Sequence, residues 1–208
     1  MTDTMDLREL PFAVRPSHPG IWWRDPASAA VVVEAPGHTD FYVNPNPADS
    51  ADAGTTLNAT TLLGVPPAGD FQLHARVQVN FAAQFDAGVL FLWADEQHWA
   101  KLCFELSPAG QPMVVSVVTR KLSDDANAFV VADQSVWLRV SRVDSVYAYH
   151  ASLDGNTWEL VRVFHLDDDV AEHLVGLEAQ SPTGEGCRVT FDELRFTSER
   201  LVHLRDGS

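Results

Sequence analysis

The chain has 208 residues, 46% of them hydrophobic, with 29 acidic against 14 basic side chains and a formal net charge of −15. That is enough apolar material for one sizeable core. The charge repels phosphate backbones and anionic lipid, which excludes nucleic acid and membrane surfaces as expected partners.

No run approaches the roughly 18 apolar residues of a membrane span, and the acidic start Met1-Thr-Asp-Thr-Met-Asp lacks a signal-peptide pattern. A soluble, cytoplasmic protein is the expectation. Cys103 and Cys187 lie far apart with no CxxC pair, so they read as two reduced thiols, with no metal knuckle or disulfide framework and no cofactor.

Twelve glycines and twelve prolines punctuate short segments rich in Val, Phe, Leu, Trp and Tyr, the pattern of many strands joined by turns. In chain order the strands fall at 20–24, 30–35, 41–43, 71–81, 87–94, 98–107, 113–120, 136–143, 146–153, 158–165, 173–179 and 187–197. The stretch 44–52, crowded with Asn, Asp, Ser and Pro, reads as a loop, and 167–173 as the one place for a helical turn. Such spacing predicts an all-β, two-sheet antiparallel jelly-roll sandwich. Residues 1–19 read as an N-terminal extension, 20–197 as the domain, and 198–208 as a loose polar tail.

Alternation separates the faces of three segments. Burying Ala100, Leu102, Phe104 and Leu106 sends Trp99, Lys101, Cys103 and Glu105 to the other side. Burying Val136, Leu138 and Val140 turns out Trp137, Arg139 and Ser141. Burying Val175, Leu177 and Ala179 turns out Gly176, Glu178 and Gln180. If the three outward sets share one face, they form an aromatic and charged platform for a ligand.

Five motifs occur in order: Gln84-Phe85-Asp86-Ala87-Gly88, then Trp99-Ala-Lys101 with Glu105, then Val136-Trp137-Leu138-Arg139-Val140, then Ser152-Leu-Asp154-Gly155-Asn-Thr-Trp158, then Gln180-Ser181-Pro182-Thr-Gly-Glu-Gly186 with Val189-Thr-Phe191. Together they resemble the family named after a yeast regulator of enolase, within the concanavalin A-like lectin and glucanase superfamily. The resemblance spans about Trp22 to Phe196. It implies two bent antiparallel sheets with a concave face that holds sugar in better-known relatives, and it implies no particular reaction. Two departures stand out: Tyr42 replaces the tryptophan usual after Thr39-Asp40-Phe41, and the glutamine usual between Asp86 and Ala87 is missing.

Glycoside hydrolysis needs two carboxyls flanking a cleft. Parity offers Glu105 and Glu178, but the Glu-x-Asp-x-x-Glu motif of the related glucanases is absent. Asp40, Asn44 and Asp49, with His38, are spaced like a lectin calcium loop, though the same residues serve turn chemistry. The eight histidines are scattered without a nucleophile signature, His98 alone preceding the polar face. Asp154-Gly155 reads as a hairpin turn that brings Trp158 back onto the sandwich.

The expected function is therefore non-catalytic binding of a carbohydrate or polyhydroxylated metabolite. Trp99 and Tyr42 would stack, while Asp40, Lys101, Glu105, Arg139, Glu178 and Gln180 would bond hydroxyls. A regulatory protein-interaction module and a hydrolase using Glu105 and Glu178 stand as alternatives, and the oligomeric state is left open.

Overall fold

The computed structural model describes residues 4–46, 54–166 and 172–208. Its strands, in order, are β1 (Arg15–Pro16), β2 (Trp22–Arg24), β3 (Val31–Pro36), β4 (Phe41–Tyr42), β5 (Thr56–Leu57), β6 (Thr60–Gly64), β7 (Phe71–Asn80), β8 (Ala87–Asp95), β9 (His98–Leu106), β10 (Pro112–Arg120), β11 (Leu122–Val130), β12 (Ser135–Val143), β13 (Val146–Ser152), β14 (Glu159–His165), β15 (Leu174–Gln180) and β16 (Gly186–Thr197). The first sheet runs β1-β6-β15-β8-β9-β10-β11, the second β14-β13-β12-β7-β16-β3-β2, and β4 pairs with β5 alone. The strand pairings are antiparallel, and the predicted jelly-roll sandwich is what forms. Among the described residues no helix is long and apolar enough to cross a membrane.

Period-two alternation drives the packing. Leu90, Leu92, Ala100, Leu102, Phe104, Val175 and Leu177 of the first sheet meet Leu73, Val77, Val136, Leu138, Val189 and Phe191 of the second in the main core. Gly88 belongs to this interface: a Cβ there would lie 2.5 Å from Val77 and 2.6 Å from Val189, so only glycine lets the sheets approach this closely.

Four strands escape the sequence pattern, the two-residue β1 and β5 and the longer β6 and β11. β11 is an exposed, polar edge, held by its register with β10 from Val130 against Met113 to Leu122 against Arg120. β6 is short and buried on both faces, so it shows no alternation. The expected loop at 44–52 and helical turn at 167–173 lie largely outside the described residues.

Both ends of the chain join the fold. Leu7, Leu10 and Val14 sink into the main core, and β1 extends the first sheet. The tail expected to be loose instead packs on the outer face of the second sheet: Arg139 Nη2 donates to the Gly207 carbonyl at 2.6 Å, and His150 Nε2 donates to the Leu204 carbonyl at 2.8 Å. Its polarity is that of a segment whose backbone satisfies buried donors below it.

Candidate functional site

The outer face of the first sheet carries Ala87, Val89 and Phe91 of β8, Trp99, Lys101, Cys103 and Glu105 of β9, and Glu178 and Gln180 of β15. Glu178 lies opposite Val89, which lies opposite Cys103; Glu105 lies opposite Ala87, which lies opposite Gln180. Strand parity therefore places Glu105 and Glu178 on one face, as the sequence implied.

Parity fixes alternation along a strand and says nothing of which sheet the strand joins. Arg139 shows the consequence. It sits on β12, in the second sheet, and its side chain faces away from the first sheet onto Trp158, 4.2 Å from the ring centroid. It is removed from the predicted platform.

The face left on the first sheet is roofed. The flap made by β4 and β5 lays Phe41 against Phe91, Trp93 and Trp99, with ring centroids 4.9, 5.6 and 5.8 Å away. Leu57 and Ala59 complete this second apolar cluster with Val89, Cys103, Val115 and Val117. The flap is tied down by paired bonds between Val43 and Ser123, and by Thr39, whose backbone N–H donates to the Ser181 carbonyl. Trp99 is fully buried, so it packs in this cluster and has no surface on which a ligand could stack. Tyr42 follows Phe41 on the flap, half-buried.

Beneath the flap, Lys101 Nζ donates to Asp40 Oδ1 at 2.9 Å and to Gln180 Oε1 at 2.8 Å. Burial disfavours the ammonium, but Asp40, Glu178 and Glu105 outweigh it and hold the pKa of Lys101 above its ordinary value. Burial pushes Glu178 and Glu105 up to about 8, only partly offset by Lys101. Burial thus favours the protonated forms of Glu178 and Glu105 beside the Lys101–Asp40 ion pair. Glu178 has no exposed surface, and neither of its carboxyl oxygens has a hydrogen-bond partner among the described residues.

Of the candidate calcium-loop residues, Asp40 is engaged by Lys101, Asn44 accepts from the backbone of Asn46, and Asp49 lies outside the described residues. Among the described residues no group of three or more His, Cys, Asp or Glu could hold a metal ion. His98 Nδ1 is taken by Asp95 at 2.8 Å. Cys103 and Cys187 are free and buried.

Several motif residues turn out to be scaffold. Asp86 is fully buried and accepts from the backbone N–H groups of Ala82 and Ala83, each at 2.8 Å, and from the Ser181 hydroxyl at 2.6 Å. It ties the turn before β8 to the segment after β15, beside the root of the flap. Replacing it with alanine is expected to cost about 2–4 kcal/mol, read by urea unfolding, because it orphans the buried Ser181 hydroxyl and the two backbone amides of the turn. A change below about 1 kcal/mol would show that the turn holds without it. Asp154 caps its hairpin by accepting from Asn156 and Thr157, as a turn residue should.

The open part of this face is a groove of about 710 Å³ beside the flap. Trp93, Phe41 and Phe91 form its aromatic side, Thr61 and Leu63 part of its floor, and Arg15 its rim. The sequence reading missed it, because its rim comes from the N-terminal extension and its floor from the unrecognised β6.

Residues 17–199 match the family described as a protein of unknown function, DUF1349, and the chain belongs to that family. A crystal structure of a functionally unknown protein from Saccharomyces cerevisiae is similar across 94% of this chain and 99% of its own, with 26% identity and a TM-score of 0.75. The xylan β-1,4-xylosidase structure from Bacillus halodurans matches 94% of this chain but 38% of its own, at 10% identity and a TM-score of 0.71, a likeness of fold. A putative beta-xylosidase of Escherichia coli is 29% identical over 61% of this chain, and the match spans about a quarter of that relative, 27%.

Proposed function

We propose that the protein binds carbohydrate in the groove beside the flap, without hydrolysing it. The observation that carries this reading is the groove: about 710 Å³ of open space on the sheet face, with Trp93 half-buried in its wall and the polar residues Arg15 and Thr61 in its lining. An aromatic ring with hydrogen-bonding groups around it suits a sugar, which presents an apolar ring face and a hydroxyl edge. The similarity to a putative beta-xylosidase points to a pentose-containing ligand.

Binding is favoured over hydrolysis because hydrolysis needs two carboxyls, while Glu172 is the one acid in the described lining, neither Glu105 nor Glu178 lines the groove, and Glu178 is sealed under the flap. Lys101, Asp40 and Gln180 serve this site from behind by fixing the flap whose Phe41 forms one wall.

The test is a thermal-shift titration with xylose and xylo-oligosaccharides on the native protein, Trp93→Ala and Arg15→Ala. A sugar-dependent rise in Tm is expected, with affinity falling about tenfold in Trp93→Ala. No shift with any of these sugars, or an equal shift in both variants, overturns the reading.

A further inference from the structure

Two basic side chains are buried among the described residues, Lys101 and Arg139. Lys101 has its carboxylate. Arg139 does not, in a chain where acids outnumber bases two to one and where Arg24, Arg76, Arg162, Arg188 and Arg200 each have one. Among the described residues its Nη2 meets only the Gly207 carbonyl, and its buried Nε has no partner.

No carboxylate among the described residues pairs with Arg139. Across β12, Arg139 lies opposite His74 of β7 on one side and His150 of β13 on the other. Arg195 of β16 is near enough to act on His74, and Trp158 covers the guanidinium face. The acids that reach this neighbourhood are Glu193, acting on His74, and Asp206 of the tail, acting on His150. Burial lowers Arg139 to about 10. A stacked, desolvated guanidinium with a free Nε–H is the arrangement used to hold an oxyanion.

What covers it is the chain's own segment 201–208. Leu201 is buried, and the strap closes on itself through bonds from Val202 and His203 to the Ser208 carbonyl. The Leu204 and Gly207 carbonyls place two oxygen acceptors over this basic patch, as a bound anion would.

We infer that the outer face of the second sheet carries a binding site for a small oxyanion, a carboxylate or a phosphate. The site is built on Arg139 against Trp158 and masked by the 201–208 strap. It lies on the opposite sheet from the groove, so it stands independently of the carbohydrate reading.

The strap can be released by point substitution. Gly207 has φ 77°, and a Cβ there would lie 2.6 Å from Arg139 Nη2 and 2.8 Å from Trp158 Cβ, so Gly207→Ala should lift it. Leu201→Asp breaks its apolar anchor and serves as a second route. Amide exchange over 202–207 identifies the variant with the more open strap, and that variant is titrated calorimetrically with inorganic phosphate and with citrate at pH 7.

Unmasking is expected to strengthen binding of one or both anions at least about tenfold over the native protein. Adding Arg139→Gln should abolish the gain, Arg139→Lys should keep part of it, and Trp93→Ala should leave it unchanged. Phosphate alone, or citrate alone, names the class. A released strap with no gain for either anion, or a gain that survives Arg139→Gln in a protein with native circular dichroism, overturns the inference.

Discussion

Raising the pH from 6.5 to 9 is expected to destabilise the protein, and Glu178→Gln to remove a distinct share of that loss. Glu178 has its pKa raised by burial from 4.5 to about 8, so the folded state holds a proton that the unfolded chain has already released. Stability then falls as pH rises, because the native state binds more protons than the unfolded one. The favourable contribution is complete below about pH 4.5 and is lost as the pH climbs through 8.

For one such group the loss between pH 6.5 and 9 is about 2 kcal/mol, or about 4–8 °C in Tm. Glu105 adds to it with a share damped by its partial exposure. The window is chosen against two competing sets of groups. His74, His150 and His173 have lowered pKa values, so they act in the opposite sense below about pH 6.5. Cys103 and Cys187 are raised and contribute their own loss as free thiols ionise near pH 8.5. The difference between the native protein and Glu178→Gln, measured by thermal unfolding at 6.5, 7.5 and 9, isolates the carboxyl. Parallel Tm curves for the two proteins would mean that Glu178 stays ionised in the fold.

This carboxyl also marks what was legible in the sequence. Alternation over 99–106 and 175–180 is enough to turn Lys101 and Glu105, and separately Glu178 and Gln180, away from the main core, because a one-residue slip would bury a charge there; the two pairs share a face because β9 and β15 both pair with β8. The same rule misassigned Arg139, whose strand alternates equally well in either sheet. Membership of a sheet is set by long-range pairing, β12 with β7 and β13, which no local pattern encodes.

The burial of the platform was equally hidden. Exposure was inferred from polarity, yet Thr39-Asp40-Phe41 returns over this face from a distant part of the chain and supplies both the ring that covers Trp99 and the carboxylate that neutralises Lys101. Polar residues facing away from a core need not face water when another segment brings their partners. The motif around Asp86 was recognised by its order while its work, holding a turn to Ser181, is visible only in three dimensions.

Lys101→Met is expected to be among the most damaging single substitutions. A Lys–Glu neighbour on an exposed sheet face would contribute at most about 1 kcal/mol. Lys101 is instead 2% exposed, with Asp40 and Gln180 as its partners. Methionine fills much the same volume, so the loss is electrostatic: Asp40 keeps a carboxylate with no counter-ion, and Gln180 loses the donor to its amide oxygen. Breaking a buried pair in this one-sided way costs about 3–5 kcal/mol. The damage should be directional, appearing first as faster amide exchange in 39–43 and 57–59, the flap that Asp40 anchors. Asp40→Asn combined with Lys101→Met should recover part of the stability, because the stranded charge is then gone. A Lys101→Met protein within about 1 kcal/mol of the native one, with flap exchange unchanged, would mean that Phe41 and its aromatic neighbours hold the flap without the ion pair.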